Sequence, residues 1–123
     1  MSKRLLLFVT LFSILVVSLA HAGFEEGKAA YDKGDYVKDY EDLAEQGFAG
    51  AQYHLGYMYD KGQGVAPDKV VAHKWLILSA ARAAGRQHEY FARIRDAVAS
   101  TMSPGEIAEA QYLAHKWRPM QMR

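Results

Sequence analysis

Two four-residue phrases each occur twice in this chain of 123 residues. Tyr-Asp-Lys-Gly stands at residues 31–34 and again at residues 59–62, and Ala-His-Lys-Trp stands at residues 72–75 and again at residues 114–117. Recurring phrases of this kind are typical of repeat architectures, in which each unit buries its apolar face against its neighbours. The repetition therefore predicts a short stack of helix pairs that presents a surface, and it favours binding over a closed catalytic pocket.

The first 22 residues have the composition of a secretory signal peptide. Lys3 and Arg4 give a positive start, residues 5–19 are almost wholly apolar, and residues 20–22 place alanines at the two positions that a signal peptidase reads. The alternative is a retained membrane anchor, but this apolar stretch is shorter than the roughly 20 residues that span a bilayer. We therefore expect cleavage of residues 1–22 and export to the periplasm of a Gram-negative bacterium or beyond it. Membrane contact would arise only through an uncleaved signal segment.

The rest of the chain, residues 23–123, has no cysteine and almost no net charge, but its charges are unevenly distributed. Residues 23–60 carry nine acidic residues and three lysines, whereas residues 61–123 carry ten basic and five acidic residues. This polarity could steer a partner or favour head-to-tail self-association into a homo-oligomer; the alternative is a pair of solvated helix faces. A net charge near zero without a dense run of basic residues argues against nucleic-acid binding.

Apolar residues recur at helical spacing along residues 23–123, and nothing in this stretch has the pattern of a strand. Glycines, prolines and capping residues divide the stretch into separate helices. The pattern therefore predicts an all-α fold, a short α-solenoid of antiparallel helix pairs. The predicted helices cover about residues 24–33, 36–46, 49–61, 68–84, 86–100 and 104–118.

Single residues carry more detailed predictions about these helices. Gly56 lies in the middle of the third helix, where glycine costs about 1 kcal/mol, so we expect the next helix to approach its backbone closely. The fourth helix is apolar around so much of its circumference that it should lie at the centre, and Gly85 should end it. Ser103 should cap the sixth helix, with Pro104 at the first helical position and Glu106 completing a capping box.

Glycines, small residues and aromatic residues fall at set offsets between residues 51 and 85, namely at Ala51, Leu55, Gly56, Tyr59, Gly62, Gly64, Val65, Asp68, Ala72, Trp75, Ala80 and Gly85. This set resembles the Sel-1-like repeat, a relative of the tetratricopeptide repeat with a longer loop between its two helices. The resemblance implies a tetratricopeptide-like unit at residues 23–50, a Sel-1-like unit at residues 51–85 and an irregular C-terminal capping unit at residues 86–123. It also implies a secreted bacterial protein that binds another protein or peptide.

The chain offers little catalytic or metal-binding chemistry. His54, His73, His88 and His115 follow the signal segment, but no His-x-x-x-His pair occurs. His73 and His115, each inside a copy of Ala-His-Lys-Trp, should share one structural place. Cysteine, Ser-x-x-Lys and Gly-x-Ser-x-Gly are all absent from the sequence, so acyl transfer has no evident nucleophile. We therefore expect no enzyme, no metal and no cofactor.

The family resemblance also supplies an alternative function. Some cysteine-rich relatives have been described as penicillin-binding or β-lactamase-like, which would make the chain a small periplasmic hydrolase or a peptidoglycan-binding factor. The main hypothesis is an exported, non-catalytic helical-repeat protein that mediates protein–protein interaction in the bacterial cell envelope.

Two tyrosines and one histidine form the candidate partner-binding site. Tyr53 and Tyr57 lie four residues apart on the third helix, off its apolar face, and a shift of 35 residues along the repeat takes Tyr53 to His88. The first helix of each pair lines the concave side of such stacks. Tyr53, Tyr57 and His88 should therefore form a shallow groove that holds a partner peptide. The alternative is that these rings only pack between neighbouring helices.

Overall fold

Five helices joined by short connections make up residues 36–120, the part of the chain that the computed structural model describes. No strand occurs among these residues, in agreement with the all-α prediction. The predicted helix at residues 24–33 and the predicted signal segment at residues 1–22 lie outside the described residues. The helices are α1 (residues 36–45), α2 (Ala49–Lys61), α3 (Lys69–Arg82), α4 (Gly85–Ala99) and α5 (Pro104–Lys116).

A glycine and an aspartate fix the two ends of the loop between α2 and α3. Gly62 follows α2 in the left-handed conformation, with φ at 71°, and its backbone N–H donates to Met58 O. Glycine adopts this conformation without the steric penalty that a side chain would bring. Asp68 precedes α3, and its side chain accepts a hydrogen bond from Val71 N at 3.1 Å. The predicted helix ends at this loop are confirmed.

The break between α3 and α4 differs from the prediction. α3 ends at Arg82, and Ala83 and Ala84 then adopt extended conformations with ψ at 158° and 159°. Gly85, which we expected to end α3, is the first residue of α4 and has a positive φ of 61°. The prediction was wrong because the break falls on two alanines, which are strong helix formers and carry no stop signal. Glycine instead provides the left-handed backbone at which the next helix begins.

α5 begins with the predicted capping box. Ser103 Oγ accepts a hydrogen bond from Glu106 N at 3.1 Å, and Glu106 Oε1 accepts one from Ser103 N at 2.9 Å. Pro104 occupies the first turn, where its missing N–H leaves no intrahelical hydrogen bond unmade. The helix ends at Lys116, ahead of Pro119. The start signal read from the sequence is confirmed.

α3 is the central helix of the described chain and contacts α2, α4 and α5. A helix with neighbours on several sides needs apolar or small residues around most of its circumference. The predicted central place of this helix is confirmed, although one polar ring, that of His73, lies among its buried side chains. The buried residues of α3 are Ala72, His73, Trp75, Leu76, Leu78, Ser79 and Ala80.

The backbones of α2 and α3 come close together at Gly56. This glycine is buried, and a Cβ atom built on it would lie 2.9 Å from Leu76 Cγ and 3.0 Å from Ala72 O. Carbon atoms prefer separations of about 3.5–4.0 Å, so a side chain here would force the two helices apart. The predicted close approach is confirmed, and the neighbour is the next helix, as expected.

The two copies of Ala-His-Lys-Trp bring their tryptophans together. The rings of Trp75 and Trp117 meet in a T-shaped contact, with centroids 6.2 Å apart and planes at 73°. Trp117 Nε1 also donates to Glu45 Oε2 at 3.0 Å, and Arg82 Nε donates to Gly47 O at 2.6 Å. These contacts tie the residue after α5 and the end of α3 to the end of α1, so the C-terminal part of the described chain closes onto its beginning.

Candidate functional site

An open groove with a volume of about 260 Å³ lies between α2 and α4, and we call it the α2–α4 groove. On α2, Tyr53, Tyr57 and Lys61 recur every four residues and therefore share one face of the helix. On α4, Tyr90, Ile94 and the residues a turn further on form the facing wall. The groove is lined by Tyr53, Tyr57, Asp60, Lys61, Lys69, Tyr90, Ile94, Ala97, Val98 and Thr101.

Tyr53 joins the two walls of the groove. Its ring stacks on that of Phe91, with centroids 4.5 Å apart and planes at 10°, and its hydroxyl donates to Tyr90 Oη at 3.2 Å. Burial, together with the hydrogen bond to Tyr90, raises the pKa of Tyr53 to about 12. The hydroxyl therefore stays protonated at physiological pH. The Tyr53 ring packs between helices, as the alternative hypothesis proposed, and it also lines the groove.

Tyr57 and Tyr90 offer the groove's accessible aromatic surface. They keep 38 % and 47 % of their area exposed, respectively, and they come from opposite walls. Exposed tyrosines combine a large apolar contact area with a polar hydroxyl at the tip, a combination that is frequent where proteins meet. The groove can therefore contact both apolar and polar groups of a ligand.

Two lysines and an aspartate stand at one end of the groove. Lys61 Nζ lies 3.5 Å from Asp60 Oδ2, and Lys69 Nζ pairs with Asp60 Oδ1. The side chain of Asp60 is only 8 % exposed, whereas those of Lys61 and Lys69 are 55 % and 40 % exposed. One carboxylate is thus shared by two ammonium groups. This end of the groove keeps an excess positive charge that faces solvent.

The helix pair that supplies one wall of the groove corresponds to a known repeat. Residues 49–83 match the family model of the Sel1 repeat. Residues 49–83 form a Sel1 repeat. The match confirms the resemblance and begins and ends two residues before the unit predicted at residues 51–85. Sel1 repeats generally mediate protein–protein interaction and are typically non-catalytic. A comparison with curated proteins and another with solved structures found no significant match.

The third predicted site residue, His88, is not among the residues that line the groove. Its Nδ1 lies 2.5 Å from Ala80 O, so the imidazole is engaged with the second helix of the Sel1 repeat. Tyr90 and Ile94, and not His88, line the groove opposite α2. Tyr53 and Tyr90 are 37 residues apart, two more than the shift that pointed to His88. Apolar residues recur at helical spacing along α4, Tyr90 and Ile94 among them, and this pattern is the sequence signal that could have identified the second wall.

A second cavity, of about 340 Å³, lies between α3, α4 and α5 and is lined in part by His73, Arg95 and Asp96. His73 is 3 % exposed. Burial, and after it the positive charge of Arg95, lowers the pKa of His73, while the carboxylate of Asp96 acts in the opposite direction. Arg95 Nε donates to Asp96 Oδ1 at 2.9 Å. The lowered pKa favours the neutral form of His73 at pH 7.

The two histidines of the repeated phrase occupy different environments. His73 is buried on α3, the second helix of the Sel1 repeat, whereas His115 is exposed on α5. The expectation that they share one structural place was wrong, because α3 is covered on several sides and α5 contacts chiefly α3. The tryptophans of the two phrases do meet, so the two copies contact each other although their histidines are not in equivalent positions.

The groove offers a ligand aromatic surface, phenolic hydroxyls and ammonium groups.

Within residues 36–120, no group of three or more His, Cys, Asp or Glu side chains is placed so that it could hold a metal ion. Among these same described residues, no helix combines the length and the apolar character needed to cross a membrane.

Proposed function

We propose that this chain is a non-catalytic helical-repeat protein that binds a segment of a partner protein in the α2–α4 groove. The observation that carries the proposal is the exposure of Tyr57 and Tyr90 on facing walls of an open groove. The general role of Sel1 repeats in protein–protein interaction supports the same function.

The side chains of the groove favour contact over catalysis. Its lining consists of tyrosines, aliphatic residues, one threonine and a lysine–aspartate cluster. The hydroxyl of Tyr53 holds its proton tightly because of burial and its bond to Tyr90, so it is a poor base at neutral pH. The carboxylate of Asp60 is largely buried between two lysines and has little access to a substrate. Such a set holds a ligand by packing and hydrogen bonding.

We extend the proposal to the protein's location. The charged start, apolar stretch and alanine pair of residues 1–22 support export to the periplasm or beyond it, where the partner would be a cell-envelope or secreted protein. Sequencing of the N-terminus of the protein isolated from the cell envelope tests this part. We expect it to begin near Gly23, and an N-terminus at Met1 would contradict cleavage.

Photocrosslinking from a single position tests the binding proposal. A crosslinking amino acid at position 57 should capture one defined partner in intact cells, whereas the same amino acid at position 112 should not. Tyr112 is a matched control because it is 56 % exposed, lies on α5 and is absent from the groove. The purified partner should then bind Tyr57→Ala at least about tenfold more weakly than Tyr112→Ala. Equal affinities for the two variants would contradict the proposal.

A further inference from the structure

The α2–α4 groove has a direction, from an aromatic part to a positively charged end. Tyr53, Tyr57 and Lys61 follow one another along the same face of α2, and all three line the groove. Eight residues of α-helix separate the first of them from the last, which corresponds to about 12 Å at 1.5 Å per residue. A ligand that uses the whole groove must therefore present apolar surface and charge about 12 Å apart.

The charge at the lysine end calls for an anionic group. Lys61 and Lys69 share the carboxylate of Asp60, which is 8 % exposed and so unavailable to a ligand. Both lysines keep a large exposed fraction, 55 % and 40 %. An acidic side chain placed here would complete the neutralisation of the cluster, while a basic one would add a third positive charge beside two others.

The remainder of the groove calls for apolar groups. Opposite Tyr53 and Tyr57, α4 presents Tyr90, Ile94 and Val98. This wall is made of rings and aliphatic chains, which a ligand covers best with aromatic or aliphatic side chains of its own. One end of the groove is thus complementary to an apolar side chain of the ligand, and the other end is complementary to an acidic side chain.

Extended peptide geometry fits this spacing. An extended chain rises about 3.3 Å per residue, so about four residues span 12 Å, and side chains two and four positions apart point to the same side. Resting on the proposed function of the groove, we propose that its ligand is an extended segment with an aromatic or aliphatic side chain at one position and Asp or Glu four positions away, in either chain direction. The acidic residue pairs with Lys61 and Lys69, the apolar residue packs against Tyr53 and Tyr90 about 12 Å away, and the chain between them passes over Tyr57.

Synthetic peptides test this ligand chemistry directly. The probe is the fluorescein-labelled heptapeptide Gly-Phe-Gly-Leu-Gly-Glu-Gly, in which the phenylalanine and the glutamate are four positions apart. Its counterpart carries lysine in place of glutamate. Fluorescence anisotropy should give the acidic probe about tenfold tighter binding to the wild-type protein than the basic counterpart. The difference should shrink at about 1 M sodium chloride, because salt screens exposed charges.

Matched protein variants assign the preference to the groove. Lys61→Glu should reverse the order of the two peptides. Lys116→Glu, which changes the last residue of α5 just as Lys61→Glu changes the last residue of α2, should leave the order unchanged. An unaltered preference in Lys61→Glu would overturn the proposal, as would the absence of binding of either peptide up to roughly 1 mM.

One outcome separates this inference from the proposed function. If both peptides bind equally and Tyr57→Ala weakens both, the groove is a binding site but has no preference for acid, and only the ligand chemistry fails. If the partner captured from position 57 binds Tyr57→Ala as it binds the wild-type protein, the groove itself is not the site, and both proposals fail.

Discussion

At the scale of single residues, Gly56 tests how α2 and α3 pack inside the Sel1 repeat. Gly56→Ala adds a methyl group that would lie 2.9 Å from Leu76 Cγ and 3.0 Å from a backbone oxygen, that of Ala72. A backbone atom of a packed helix cannot move aside cheaply, so the clash outweighs the better helix propensity of alanine. We expect a loss of about 1–3 kcal/mol in the free energy of unfolding, measured by urea denaturation.

Gly50→Ala is the matched control for this prediction. Gly50 lies in the same helix with a negative φ, and nothing lies within 4 Å of a Cβ atom built there. The substitution should leave stability unchanged or raise it by up to about 1 kcal/mol. If both glycines respond alike, the close approach of α2 and α3 at Gly56 is not what determines stability there.

We expect His73 to make the stability of the fold depend on pH. Because burial lowers its pKa in the folded state below the ordinary value of 6.5, the unfolded chain binds this proton more readily. The neutral ring therefore makes its full contribution to the free energy of unfolding above about pH 6.5, and this contribution is lost as the pH decreases below that value. Arg95 adds to the effect, and Asp96 reduces it. Thermal unfolding followed by circular dichroism between pH 8 and about pH 5 measures it.

The variant His73→Leu separates this histidine from the exposed ones. It replaces the buried imidazole with an apolar side chain, so that position 73 no longer binds a proton in either the folded or the unfolded state. The melting temperature of His73→Leu should change less between pH 8 and about pH 5 than that of the wild-type protein. His115→Leu should keep the wild-type dependence, since His115 is exposed. Identical pH profiles for wild type and His73→Leu would contradict the prediction.

At the scale of secondary-structure elements, α5 depends on its capping box. Ser103→Ala removes the oxygen that accepts the hydrogen bond from Glu106 N at 3.1 Å. Loss of an N-cap serine lowers protein stability by about 1 kcal/mol. Ser100→Ala is the control, because the Ser100 hydroxyl donates only to Ala97 O, a carbonyl of the preceding helix. Urea denaturation should give a clearly larger loss for Ser103→Ala, and equal losses would show that the box contributes nothing specific.

The sequence predicts those helix ends at which a side chain or a glycine makes a specific contact. Gly62, Asp68 and Ser103 each supply such a contact, and the ends of α2, α3 and α5 at these residues agree with the prediction. The break at Ala83 and Ala84 has no comparable signal, because alanine has the highest helix propensity of all residues. Its position follows from the packing of α4 against α3, which no local pattern contains.

The candidate site, too, was predictable from local sequence patterns only in part. Tyr53 and Tyr57 were identifiable because four-residue spacing puts them on one face of α2 whatever the rest of the chain does. The residues of the second wall depend on the register between α2 and α4. A constant shift of 35 residues predicts that His88 lies opposite Tyr53, whereas the fold places Tyr90 and Ile94 there. A constant repeat length gives this register only if the connections are constant too.

At the scale of the whole described chain, Trp117 closes the C-terminal part onto α1. Trp117→Phe keeps an aromatic ring beside Trp75 but removes the N–H that donates to Glu45 Oε2 at 3.0 Å. We expect a loss of about 1 kcal/mol in the free energy of unfolding. A double-mutant cycle with Glu45→Ala, which removes the accepting oxygen, measures the coupling. Strictly additive losses in the double variant would contradict a direct interaction.

The repeated phrases acquire a physical meaning at this scale. The tryptophans of the two Ala-His-Lys-Trp copies meet, so this recurrence marks a contact between α3 and the residue that follows α5. The uneven charge of residues 23–60 and 61–123 stays a prediction about partners and self-association. The lysine end of the α2–α4 groove lies at the junction of these two stretches, with Asp60 from the first and Lys61 and Lys69 from the second.

Amide chemical shifts of the isotope-labelled protein, recorded while the partner captured from position 57 is added, test the central claim most directly. We expect the largest shift changes at Tyr53 and Tyr57 of α2 and at Tyr90 and Ile94 of α4, with small changes at Gln111 beside the second cavity. Changes concentrated at the second cavity, with the residues of the α2–α4 groove unaffected, would contradict the account.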